Sequence, residues 1–72
     1  SSVKQIEAIN KIRKSGNFNS LNDKLKETAL LREKFPNSSL SELSTKEINN
    51  KRISKSGLKH RLDKLIEISE NL

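Results

Sequence analysis

The chain has 72 residues, with 15 Lys and Arg against nine Asp and Glu, a formal net charge of +6 and no cysteine. That length holds one small core and no more, and the missing thiols exclude a disulfide framework and a thiolate metal site. The positive balance favours a polyanionic partner.

Leu, Ile, Val and Phe make up 20 of the 72 residues, above the roughly 20% at which chains stay disordered, so folding is expected around a thin aliphatic core. No apolar run approaches the roughly 20 residues of a membrane span and no signal-peptide core is present. The expected location is therefore the cytoplasm. The chain opens on Ser1-Ser2 without Met, which suggests a fragment, the C-terminal part of a larger protein.

In chain order, Val3, Ile6, Ile9 and Ile12 recur every third residue, with Ala8 widening the stripe, and predict an amphipathic helix over 3–14. Gly16 suits the left-handed position that closes it, and Phe18 in the following loop is placed to fill a gap between helices. Ser20 and Asp23 have capping-box spacing and predict a second helix over 21–35. Its buried face runs through Leu21, Leu25, Thr28 with Ala29, Leu31 or Arg32, and Phe35, and Pro36 ends it.

Ser39-Leu40-Ser41-Glu42 is a stronger capping box and predicts a third helix over 40–48, burying Leu40, Leu43 and Ile48. Asn49-Asn50 breaks it. A fourth helix is predicted over 54–69, with Ser54 as its N-cap and Ile53 packed on Leu58 as a hydrophobic staple. Leu58, Leu62, Leu65, Ile66 and Leu72 are its inward residues, while Ser56, Lys59, His60 and Asp63 point away. The fold class is all-α: a small four-helix domain with a helix-turn-helix at its C-terminal end.

A short capped helix, a polar break of about five residues and a longer helix with a basic opening half are the parts of a helix-turn-helix, whose second helix enters the major groove of duplex DNA. The charge is concentrated there. Between Lys46 and Lys64 seven bases face two acids, Glu47 and Asp63, so most of the net charge lies in that stretch. Ser54, Lys55, Ser56, Lys59 and His60 form the opening turns, where hydroxyls and ammonium groups meet phosphates and base edges. Lys51 and Arg52 in the turn, and Arg61 and Lys64 further along, complete the candidate set for phosphate contact. Gly57 allows close approach, either to the DNA backbone or to the preceding helix.

Other functions find less support. Glu42, Glu47 and Asp63 are too dispersed for a metal-carboxylate cluster, His60 is the only histidine, and no glycine loop of the phosphate-cradling type exists. No catalytic residue, metal or cofactor is therefore assigned. RNA binding lacks aromatic platforms, since only Phe18 and Phe35 are available and both look buried. The competing class is a protein-interaction module that docks a partner, or the N-terminal domain of the parent protein, through exposed apolar residues such as Leu30.

The run Ser54-Lys55-Ser56-Gly57 followed by His60-Arg61-Leu62 and Lys64-Leu65 resembles the signature of the WhiA family of bacterial transcription regulators. Leu21, Lys24-Leu25, Glu27, Ala29, Leu31-Arg32, Pro36, Ser39-Leu40 and Glu42-Leu43 fit that family's preceding helices, and Gln5, Ile9 and Gly16 fit its first segment. The resemblance implies a C-terminal helix-turn-helix similar to the promoter-reading domain of sigma factors. It also implies an N-terminal domain related to LAGLIDADG homing endonucleases without nuclease activity, and roles in sporulation, cell division or chromosome segregation, with the protein on the nucleoid. By position it assigns DNA-facing roles to Ser54, Lys55, Ser56, His60 and Arg61. The sequence departs from the family at Ser44, often glycine, and at Asn49-Asn50-Lys51-Arg52, often a proline-bearing turn. It departs again at Lys59, which adds phosphate attraction, and at Asp63, which is expected to add repulsion one turn on.

Overall fold

A computed structural model describes residues 2–72. Four helices appear in order: α1 (Ser2–Lys14), α2 (Asp23–Lys34), α3 (Leu40–Leu43) and α4 (Lys55–Glu70), with a single 3-10 turn at Phe18–Ser20 and a two-stranded hairpin, β1 (Glu47–Ile48) and β2 (Lys51–Arg52), between α3 and α4. No helix of the described residues is long and apolar enough to cross a membrane.

The first helix forms as its periodicity predicts, but only its middle is deeply buried. Ala8, Ile9 and Ile12 are in the core, whereas Val3 is 64% exposed. Gly16 has φ +82°, the left-handed closure that glycine adopts without a Cβ clash. Arg13 then holds α1 against α2 through a two-pronged contact with Glu33 at 2.7 and 2.8 Å, its guanidinium also lying 3.9 Å from the centre of the Phe18 ring. The hydrogen bond to Glu33 raises the Arg13 pKa further above its ordinary value.

The start of α2 corrects the expected cap. Ser20 closes the 3-10 turn instead of opening the helix; Asn22 is the N-cap, its Oδ1 accepting from the Leu25 amide at 2.9 Å. An Asx side chain caps at least as well as serine, and starting at Asn22 leaves Leu21 free to enter the core in extended conformation. At the other end both Leu31 and Arg32 are buried. Arg32 Nη1 donates to the carbonyls of Phe35 and Ser38 at 3.2 and 2.6 Å, closing the loop after the helix. Burial away from water lowers its pKa.

The third helix is the larger correction. It ends at Leu43, not at residue 48, although its capping box is complete: Ser39 Oγ accepts from the Glu42 amide and the Glu42 carboxylate accepts from the Ser39 amide. Hydroxyls stop it. Ser44 Oγ donates to the Ser41 carbonyl and Thr45 Oγ1 to the Glu42 carbonyl, both at 2.6 Å, so short polar side chains compete for acceptors that a longer helix would use. The chain then reverses through Asn49 and Asn50, both with positive φ (53° and 65°), which is the backbone of a two-residue primed hairpin turn, and asparagine tolerates it best among non-glycine residues. Glu47 pairs with Arg52 and Ile48 with Lys51. Asn49 Nδ2 donates to Glu27 Oε2 at 2.6 Å and ties the hairpin tip to α2.

Two aliphatic clusters form the core. One gathers Ile9, Ile12, Leu21, Leu25, Ala29, Leu62 and Leu65, with Phe18 and Ile68 against it; the other gathers Leu31, Leu43, Ile53 and Leu58, with Phe35 and Ile48 against it. Leu40 touches both, and α4 runs through both. The staple forms as Ile53 and Leu58 share the second cluster, whereas Leu72 stays 48% exposed, not turned inward as expected.

Leu62 is fully buried, so Leu62→Ala is expected to cost about 2–5 kcal/mol, read as a lower urea midpoint with an unchanged slope. Hydrogen bonds to Ser39 hold the Glu42 pKa below its ordinary value. A depressed carboxylate contributes stability above the unfolded pKa and loses it as pH falls through the folded one. The gap in melting temperature between the native chain and Glu42→Gln should therefore shrink on acidification below the usual carboxylate range.

Candidate nucleic-acid interface

The N-terminal end of α4 is built by its cap. Ser54, in extended conformation, accepts from the Gly57 amide through Oγ at 3.1 Å, and Ser56 Oγ lies 3.5 Å from the same hydroxyl. A Cβ at Gly57 would stand 3.0 Å from Ser54 Oγ and 3.4 Å from Ile53 Cγ2. The close approach that glycine permits is therefore to the helix's own cap and staple, not to the preceding helix.

Leu58, Leu62, Leu65 and Ser69 form the buried ridge of α4. At about 100° per residue the remaining side chains divide into two flanks. Lys55, Ser56, Lys59 and Asp63 occupy one; Gly57, His60, Arg61 and Lys64 occupy the other. Ser54, Lys55, Ser56, Lys59, His60 and Lys64 are exposed, as are Lys51 and Arg52 on β2, and Arg61 is half-buried.

Two of these cations have intramolecular partners. Lys59 Nζ donates to Asp63 Oδ2 at 2.9 Å, and Lys64 Nζ lies 3.8 Å from Glu67 Oε1. Asp63 is thus not a bare repulsive charge but the partner of Lys59 one turn before it. Such exposed pairs contribute little to stability and open at small cost. Lys51, Arg52, Lys55 and Arg61 have no charged partner within the described residues.

The connection from α3 to α4, residues 44–54, is longer than the usual helix-turn-helix turn of about three or four residues, because it contains the hairpin. Lys51 and Arg52 are consequently carried on a strand anchored to α2 rather than on a free turn. The structure also brings in a cation absent from the candidate set. Lys24, in the first turn of α2, lines a cleft of about 610 Å³ together with Asn22, Leu25, Gly57, His60, Arg61, Lys64 and Glu67. Nothing local in the sequence marks Lys24, since its relation to α4 arises from the packing of Leu25 against Leu62 and Leu65 in one cluster.

Comparison with known proteins fits this geometry. The profile of the WhiA C-terminal HTH domain matches residues 1–69. The chain belongs to the WhiA C-terminal HTH domain family. It is 47% identical over 68 residues to the "Probable cell division protein WhiA" of Latilactobacillus sakei, 44% identical over 70 residues to that of Lachnoclostridium phytofermentans and 41% identical over 70 residues to that of Bacillus mycoides. These alignments take in 94–97% of the chain but only 21–22% of each relative, so the chain spans about a fifth of the length of the WhiA proteins it matches. No solved structure matches it. Membership places the helix-turn-helix among those of DNA-binding regulators.

The crowding at Gly57 gives a test. Gly57→Ala brings a helix-propensity gain of about 0.5–1 kcal/mol against displacement of a cap hydroxyl worth about 1 kcal/mol, and the two nearly cancel in the native chain. In a Ser54→Ala background only the gain remains. A double-mutant cycle in urea should show Gly57→Ala clearly more favourable in that background than in the native one.

Proposed function

We propose that this domain binds duplex DNA in transcription control, with α4 in the major groove and sequence read from its first turns. The observation that carries the proposal is the division of α4: an aliphatic ridge sealed in the core, and opening turns of Ser54, Lys55, Ser56, Lys59 and His60 facing solvent. A helix capped by serine presents its amides and hydroxyl toward phosphate, and Lys or Arg at this end neutralises phosphate and donates to guanine.

In this arrangement Ser54 and Ser56 serve the phosphate backbone, while Lys55, Lys59 and His60 reach for base edges. Arg61 and Lys64 lie along one strand, and Lys51 and Arg52 on the hairpin meet a flanking phosphate. Binding frees Lys59 from Asp63. The relatives' name favours a role in cell division; the WhiA resemblance adds sporulation and chromosome segregation, and a place on the nucleoid. Catalysis has no part in this function.

Val3 and Leu30, 64% and 46% exposed, favour a second reading in which the domain docks a partner or the N-terminal domain of its parent protein. They lie singly on α1 and α2, not in the charged region, so docking there is compatible with DNA binding at α4.

An NMR titration of the 72-residue chain with a duplex tests the first reading. Amide shifts are expected to concentrate in residues 51–64; shifts confined to the surroundings of Val3 and Leu30 would refute it. If about five cations contact phosphate, log K should fall with log salt at a slope of about −4 to −5. Lys55→Ala should weaken binding while leaving the melting temperature nearly unchanged.

A further inference from the structure

The cleft beside α4 has two walls, and only one of them belongs to the helix-turn-helix. Gly57, His60, Arg61 and Lys64 form the first, and Asn22, Lys24 and Leu25 at the beginning of α2 form the second. Glu67 stands at one end, 3.8 Å from Lys64, so the end nearer Gly57 is the more cationic.

Two of the lining cations are uncommitted. Lys24 is exposed, Arg61 is half-buried, and neither makes an ion pair or side-chain hydrogen bond within the described residues. A half-buried guanidinium offers five donors in a planar fork, and a site that leaves all of them without a protein acceptor suits a multidentate anionic oxygen group. The Leu25 amide in the first turn of α2 is capped by Asn22 Oδ1, and the positive charge of the cleft comes from its side chains.

The dimensions of DNA connect these facts. A helix with its side chains is about 10–12 Å across and nearly fills a major groove about 12 Å wide. A strand bordering the groove must then run along each flank of α4. On the flank carrying Arg61 the neighbouring wall is the start of α2, with Lys24 exposed on it.

We infer that this cleft seats a phosphodiester of the DNA strand bordering the groove, held between Lys24 of α2 and Arg61 of α4. The inference rests on the proposal that α4 enters the groove. It makes α2 a DNA-contacting element and fixes the angle of approach, because a phosphate gripped from two helices cannot slide along either one. Lys24 contributes no base contact, so its effect is independent of sequence.

The test is fluorescence anisotropy of the 72-residue chain with a mixed-sequence duplex about two helical turns long, over a series of salt concentrations. Lys24→Gln should weaken binding and reduce the magnitude of the salt slope by about 1, while Lys24→Arg restores both. Lys24→Gln combined with Arg61→Gln should lose less affinity than the two single losses together, since both groups serve one phosphate. Lys14→Gln, at the end of α1 and not among the residues lining the cleft, measures the effect of losing one positive charge elsewhere. If Lys24→Gln matches Lys14→Gln while Lys55→Ala still weakens binding, the phosphate seat is overturned and the groove-entering role of α4 stands. If the native chain ignores the duplex even at low salt, both are overturned.

Discussion

The burial of one aliphatic ridge on α4 holds the remainder of this domain in place. Leu62 and Leu65 complete the cluster that α1 and α2 begin, and Leu58 completes the one shared by α2, α3 and the segment before the helix. Neither cluster closes without α4. The packing that stabilises the fold is therefore also what orients the basic side chains. With Leu58, Leu62 and Leu65 inward, the 3.6-residue repeat leaves Ser56, Lys59 and His60 no direction but outward.

This coupling explains how a thin core can support a defined surface. Twelve buried hydrophobic residues are few for orienting helices, and polar links add direction where apolar packing is short. Arg13 and Glu33 join α1 to α2, Arg32 organises the loop after α2, and Asn49 joins the hairpin to Glu27. The first and last of these join elements about twenty residues apart in the chain, while Arg32 closes the loop that directly follows its own helix. Each restricts rotation of one element against another more than it deepens the core.

Much of this was legible in the chain itself, and what was not has identifiable causes. The ridge of α4, its Ser54 cap and the Ile53 staple follow from local spacing, and so does the capping box at Ser39 and Glu42. The second helix starts later than its spacing suggests because two capping residues, Ser20 and Asn22, compete and local pattern does not rank them; Leu21 decides by entering the core. The third helix stops early because Ser44 and Thr45 turn back on their own carbonyls, and the hairpin that follows has strands of only two residues each, too short for any alternation to show. On the basic surface, residues 51–64 stand out through charge alone. Lys24 does not, because its place beside Arg61 is created by contacts between residues far apart in the chain.

The hairpin between α3 and α4 carries a rule about chain length. Side chains alternate faces along a strand, so Ile48 reaches the core only in one of two parities. Extending the ladder by matched pairs on both strands keeps that parity, whereas an odd insertion in β1 ahead of Ile48 turns Ile48 to solvent. The arm can thus be lengthened in even increments, carrying its positive charges farther from the core, without disturbing the helix that follows.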